Sequence, residues 1–158
     1  MIQSLASTLR VNHMGNESFS ARITSGDNSI LPLKTDEDVV RLRKQVRDDL
    51  VALGFSLIEQ TKMVTAASEL ARNTLRYGGG GEAHVSRRHD NDRTGVELRF
   101  IDNGPGIANL ELAMTDGYTS GGGLGLGLSG AKRLADEFQI DTEPGKGTTV
   151  RIAKWKML

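Results

Sequence analysis

Three short segments in a fixed order constrain this chain more than anything else in it. Glu69-Leu-Ala-Arg-Asn73 lies inside a strongly helical run, Asp102-Asn-Gly-Pro-Gly106 follows directly on the strand-like Val96–Ile101, and Gly121-Gly-Gly-Leu-Gly-Leu-Gly127 opens another helical run. Each segment alone is common. Their weight lies in occurring together and in this order.

The rest of the chain sets their frame. Elements of both kinds alternate, which predicts an α/β two-layer sandwich with helices on one face of a mixed, mostly antiparallel sheet. Phe19–Thr24 and Ser29–Lys34 read as a hairpin around Ser25-Gly-Asp-Asn28. Thr35-Asp-Glu-Asp38 starts a helix with a capping-box pattern; Val39, Leu42, Val46, Leu50 and Leu53 keep helical spacing, and Gly54 stops it. Arg41, Arg43, Lys44 and Arg47 occupy its other faces, either as a solvated surface or as a place for a partner to dock. Ser56-Leu-Ile-Glu59 is a second capping box, opening a helix that runs to about Tyr77 and ends in Gly78–Gly81. Glu82–Arg88 and Thr94–Asp102 read as strands around His89-Asp-Asn-Asp92. A short helix over Asn109–Thr115, a helix over Leu124–Phe138, and strands Ile140–Thr142 and Thr148–Trp155 around Glu143-Pro-Gly-Lys-Gly147 complete the order.

With 158 residues the chain reads as one domain over 18–158, preceded by a loosely ordered extension over 1–17. Such a length buries roughly 68–70% of the unfolded chain's surface, enough for one core. Twenty basic and twenty acidic residues cancel, which argues against a nucleic-acid partner. No apolar run approaches the roughly 20 residues of a membrane span, and no signal peptide is expected. The absence of cysteine excludes disulfides and thiolate metal sites and fits a cytoplasmic protein. His13, His84 and His89 share no metal spacing, so phosphotransfer through a histidine has no support.

Glu69 and Asn73 are four apart and share a helix face that also carries Ala66. Buried, such a pair is costly without partners, and a hydrated magnesium ion would partner both. Asn73 would give its amide oxygen to the metal, and Glu69 would sit ready to take a proton from an attacking hydroxyl. The alternative is a Glu69 pair with Arg72 or Arg76 on a wet surface. Asp102 is either a turn residue or the acceptor of a hydrogen bond from an adenine amino group, with Gly104 and Gly106 allowing close passage of the base. Gly121–Gly127, including Leu124 and Leu126, is either a flexible loop with close helix packing or a bed of N–H groups for phosphates at a helix N-terminus. It is neither a Walker A loop nor a dinucleotide fingerprint. Gly145-Lys-Gly-Thr148-Thr149 is a hairpin turn, or a place where Thr148 or Thr149 hydrogen-bonds near Asp102. Together these residues supply what bound ATP requires.

In order and spacing the segments resemble the N, G1, G2 and G3 boxes of the Bergerat-fold (GHKL) ATPases. Ser68-Glu-Leu-Ala-Arg-Asn73, Asp102-Asn-Gly-Pro-Gly-Ile107, Asp116-Gly-Tyr-Thr-Ser-Gly-Gly-Gly-Leu-Gly-Leu-Gly-Leu128 and Ala153-Lys-Trp155 are similar to the RsbT-like serine/threonine switch kinases of the anti-sigma regulatory group. The resemblance covers about 30–156. It implies a magnesium- and ATP-dependent kinase with Glu69 as base, Asn73 at the metal, and Asp102, Gly104, Gly106, Ile107, Gly121, Gly122, Gly123, Leu124, Gly125, Leu126, Gly127 and Thr148 around the nucleotide. It implies phosphorylation of a STAS-domain scaffold or antagonist, followed by binding and activation of a protein phosphatase. Residues 1–28 exceed the pattern. The short stretch between Asp102 and Gly125 corresponds to the ATP lid, so weak nucleotide retention without a partner is expected. Two alternatives are a nucleotide-gated anti-sigma binding module and the ATP-binding domain of a split histidine kinase; the short lid and the Ser68–Asn73 segment weigh against the second.

Overall fold

The computed structural model describes residues 28–115 and 127–157. The expected extension over 1–17, the strand Phe19–Thr24 and the glycine run from Gly121 to Leu126 lie outside the described residues. Within them the order is β1 (Asn28–Leu33), α1 (Asp36–Ala52), α2 (Leu57–Arg76), β2 (Gly81–Asp90), β3 (Arg93–Asp102), α3 (Leu110–Ala113), α4 (Gly127–Leu134), β4 (Glu137–Glu143) and β5 (Gly147–Met157). The strands form one sheet in the order β1-β2-β3-β5-β4. Every described pairing is antiparallel, in line with the mostly antiparallel sheet expected from the sequence.

Both long helices begin as their sequences dictate. The Thr35 and Ser56 hydroxyls accept from the Asp38 and Glu59 amides, and each acid returns to the cap backbone. Gly54, at φ +81°, closes α1: its N–H reaches Val51 O and that of Phe55 reaches Leu50 O, both at 3.0 Å. Phe55 and Leu50 are both buried behind this cap.

The sheet has two unlike faces. Ala83 and Val85 on β2, Leu98 and Phe100 on β3, Ile152 on β5 and Ile140 on β4 are buried together with Leu42, Val46, Leu50, Met63 and Leu70 of α1 and α2. This is the core, and α1, α2 and α4 cover it. Strand alternation sends Glu97, Arg99, Arg151 and Glu137 to the opposite face, where they form a charge network.

One boundary differs from expectation by more than two residues. The helix read over Leu124–Phe138 ends at Leu134, and Phe138 belongs to β4, which is longer than the expected Ile140–Thr142. Leu128, Ala131, Ala135 and Phe138 keep helical spacing, which hides the break. The sheet wins because Asp136 N–H donates to Ala153 O at 2.9 Å and its carboxylate accepts from Trp155 N–H at 2.8 Å.

Candidate functional site

A cavity of about 640 Å³ lies between α2, the loop after β3, α3 and the start of α4, floored by the ends of β3 and β5. Glu69, Asn73, Asp102, Gly106, Ile107, Gly127 and Thr148 all line it. Residues far apart in the chain thus converge, because β3 and β5 are paired at their open ends: Asp102 stands opposite both Gly81 and Thr148.

Glu69 is only 9% exposed. Its Oε1 accepts from Arg72 Nη1 at 3.1 Å. The two readings of this side chain therefore meet: it has an arginine partner, but on a cavity wall rather than a wet surface, and the partner is Arg72 rather than Arg76. Asn73, one turn on, is half-buried, and its amide has no hydrogen-bond partner among the described residues. A buried carboxylate beside an uncommitted amide gives one proton acceptor and one neutral oxygen ligand on a single wall.

Asp102 is held as a fixed acceptor. Its Oδ1 takes the Gly104 N–H at 2.9 Å and the Thr148 N–H at 3.3 Å. Its other oxygen is flanked by Gly78: a Cβ added there would stand 2.6 Å from Oδ2. Gly78 was expected only as a helix cap. The capping conformations belong instead to Gly79 and Gly80, both at positive φ, and Gly78 keeps space beside the carboxylate. Gly104 and Gly106 serve packing of the chain on itself. Their added Cβ atoms would meet the Gly78 backbone at 2.7 Å and Glu143 O at 2.3 Å, so the chain's own packing already requires glycine there. Gly104 does not line the cavity; Gly106 does.

Thr142 does not line the cavity, but it holds two residues that do, a role sequence reasoning missed. Its Oγ1 accepts the Ile107 N–H at 2.9 Å and lies 2.9 Å from Thr148 Oγ1. The signal was present: Phe138, Ile140 and Thr142 alternate toward the core, and a threonine closing an apolar series wants a polar task. Of the two candidate threonines, Thr148 lines the cavity. Thr149, paired with Ile101, points to the opposite face. Arg72, Arg76 and Tyr77 also line the α2 wall and bring two guanidinium groups to it. Sequence reasoning had treated the arginines only as ion-pair partners. His84 pairs with Glu82 at 2.9 Å and His89 is exposed on β2; neither lines the cavity, and His13 lies outside the described residues. Among the described residues no cluster of acidic, histidine or cysteine side chains could hold a metal, and no helix is long and apolar enough to cross a membrane.

Comparison with known proteins agrees with this geometry. The chain is 39% identical over 129 residues to the serine/threonine-protein kinase RsbT of Bacillus subtilis (strain 168), covering 82% of this chain and 97% of that one. It is 34% identical over 133 residues to an anti-sigma F factor of Clostridium beijerinckii, covering 80% and 92%. Among solved structures, that of the RsbU and RsbW domains of Rv1364c from Mycobacterium tuberculosis superposes with a TM-score of 0.55 at 20% identity, over 80% of this chain and 32% of the other; this likeness concerns the fold. The family model for histidine kinase-, DNA gyrase B- and HSP90-like ATPases matches residues 58–157, the stretch that contains Glu69, Asn73, Asp102 and Thr148. The chain belongs to the histidine kinase-, DNA gyrase B- and HSP90-like ATPase family.

Proposed function

We propose that this chain is an ATP-dependent protein serine/threonine kinase of a cytoplasmic partner switch. It phosphorylates a STAS-domain scaffold or antagonist of a stressosome-type or sigma-regulatory pathway, then binds and activates a protein phosphatase. The observation that carries this reading is the buried Glu69 on the wall of a cavity that ends in Asp102. Holding a nucleotide needs an anchor and phosphate contacts; it does not need a largely buried carboxylate on the cavity wall, whose burial Arg72 only partly offsets. The similarity to RsbT, a serine/threonine-protein kinase, supports the same conclusion.

The cavity fits the nucleotide on the chemistry of its donors. Asp102, clamped by two N–H groups and kept clear by Gly78, accepts from the adenine amino group. Ile107, Gly106 and Thr148 line the cavity where the base would lie, and Gly127, at the start of α4, offers its end of the helix to the phosphates. Arg72 and Arg76 add positive charge on the α2 wall. Asn73 supplies one amide oxygen for magnesium. That suffices on the protein side, because this ion keeps several waters and takes its other ligands from nucleotide phosphates. When bound, magnesium neutralises charge on the phosphates being transferred. Glu69 takes the proton of a seryl or threonyl hydroxyl as its oxygen bonds to the γ-phosphorus and ADP leaves.

The similarity to an anti-sigma F factor favours a second reading, a nucleotide-gated module that sequesters a sigma factor. Incubation with radiolabelled ATP and candidate STAS-domain proteins separates the two. Acid-stable label on the STAS protein is the expected result. Nucleotide-dependent complexes without label would support the binding module, and label lost in acid would indicate a phosphohistidine and overturn the proposal.

A further inference from the structure

Asp102 on β3, Thr148 on β5 and Thr142 on β4 form one row across the sheet, each the partner of the next. Resting on the nucleotide reading of the cavity, we propose that Thr142 is a positioning residue for the base. Its hydroxyl proton goes to Thr148, and this leaves the Thr148 proton to be donated to a purine ring nitrogen beside the amino group that Asp102 accepts.

The proton bookkeeping follows from three distances. Thr142 is 5% exposed, so its hydroxyl is settled by protein neighbours. Its Oγ1 lies 2.9 Å from the Ile107 amide, 2.9 Å from Thr148 Oγ1 and 3.3 Å from Gly147 O. The amide can only donate, so the Thr142 oxygen accepts there. A hydroxyl has a single proton to give, and O–H···O bonds run from about 2.5 to 3.0 Å. The proton therefore fits Thr148 and not Gly147. Gly147 is held where it is, because its backbone lies so close to Asp102 that a Cβ would overlap the Asp102 carbonyl. In the reverse arrangement Thr142 would accept twice and keep only the long contact for its own proton.

Thr148 then has a proton to spare. Its Oγ1 has no other partner among the described residues, and the residue lines the cavity. Its N–H binds Asp102 Oδ1 at 3.3 Å, so the wall presents an acceptor and a donor side by side. A 6-aminopurine is the complement: its amino group donates, and the ring nitrogens N1 and N7 on either side of it accept. A 6-oxopurine turns an acceptor toward Asp102. The base is thereby read at two atoms, and Thr142 supports the second without touching it.

The test compares calorimetric affinities of the intact chain for ATP, 1-deaza-ATP and 7-deaza-ATP, all with magnesium. In wild-type protein one of the two deaza analogues is expected to bind about 3–10-fold more weakly than ATP, the usual worth of one neutral hydrogen bond. In Thr142→Val, which keeps the shape and removes the hydroxyl, nothing orients Thr148, and that penalty should fall to less than half. Thr142→Ser should restore it, and Thr142→Ala repeats the comparison if the valine variant does not fold. A role in packing alone would weaken all three nucleotides by the same factor and leave the penalty unchanged; that result overturns the proposal. So does wild-type protein that binds both deaza analogues as well as ATP. Wild-type protein that binds none of the three would overturn the nucleotide reading itself, a result distinct from either of those.

Discussion

Glu69 and Asp102 carry the two halves of the proposed chemistry, and single substitutions should separate them. Removing the carboxylate in Glu69→Ala leaves Asp102, Asn73 and the cavity floor in place. Phosphotransfer should fall about 10²–10⁴-fold, the usual cost of a lost general base, while ATP affinity by calorimetry stays within a few-fold of wild type. A variant that still transfers phosphate at the wild-type rate would make Glu69 structural. Asp102→Asn should do the reverse. One charge-assisted hydrogen bond is lost, and an amide NH₂ can be turned toward the adenine NH₂. Affinity should drop by about 1.5–3 kcal/mol, tenfold or more in Kd. Wild-type protein should bind GTP poorly, since guanine presents a carbonyl where adenine presents its amino group. Equal affinity for the two nucleotides would remove the anchor. Both acids were legible in the sequence because each sits at a decisive position: Glu69 four before Asn73 on an apolar helix face, and Asp102 at the end of a buried strand. Gly78 was not, because the requirement on it is set by a side chain 24 positions away in sequence.

At the scale of elements, the helix starts were legible and one helix end was not. Capping boxes are local, so Thr35–Asp38 and Ser56–Glu59 announce their helices directly. The end of α4 is decided by the Asp136 contacts to β5, which no local pattern encodes. The α1 cap also makes a pH-dependent prediction. Asp38 Oδ2 accepts the Lys34 N–H at 2.8 Å and the Thr35 N–H at 3.0 Å, and Oδ1 pairs with Arg41 at 2.7 Å. These bonds, that from Lys34 foremost, hold its carboxyl below the usual aspartate value, with burial working against them. A carboxylate depressed in the folded state stabilises it above the unfolded value of about 3.9, and loses that effect as pH falls through the folded value. Asp38→Ala should therefore lower Tm at neutral pH, and the gap to wild type should narrow as pH drops below about 4. A gap as wide at pH 3 as at pH 7 would assign the effect to packing.

For the whole molecule, the two faces of the sheet divide the labour. One face holds the apolar core and, at its open end, the cavity; the other has no helix from the described residues on it and is knitted by charge. Glu97 is 3% exposed and Arg88 4%. The Glu97 carboxylate accepts from Arg88 at 2.6 Å and from Arg99 at 3.0 Å, with Arg151 at 3.7 Å; Arg151 continues to Glu137 at 3.2 Å. Sequence alternation put these residues on one face, but it could not show that three arginines converge on a single carboxylate, because that depends on the register of β2, β3 and β5. Glu97→Ala removes the acid that the three mutually repelling guanidinium groups share. Losing one partner of a buried pair costs about 3–5 kcal/mol, and urea unfolding should register a loss of that size. The double variant Arg88→Leu with Glu97→Leu should recover much of it, since apolar residues of similar volume replace such pairs at little cost. Because Glu97 faces away from the cavity, ATP affinity of folded Glu97→Ala should remain near wild type. A loss under 1 kcal/mol would mean that the network behaves as a solvated surface. A loss of ATP affinity in folded protein would mean that the charged face and the cavity are coupled through the strands they share.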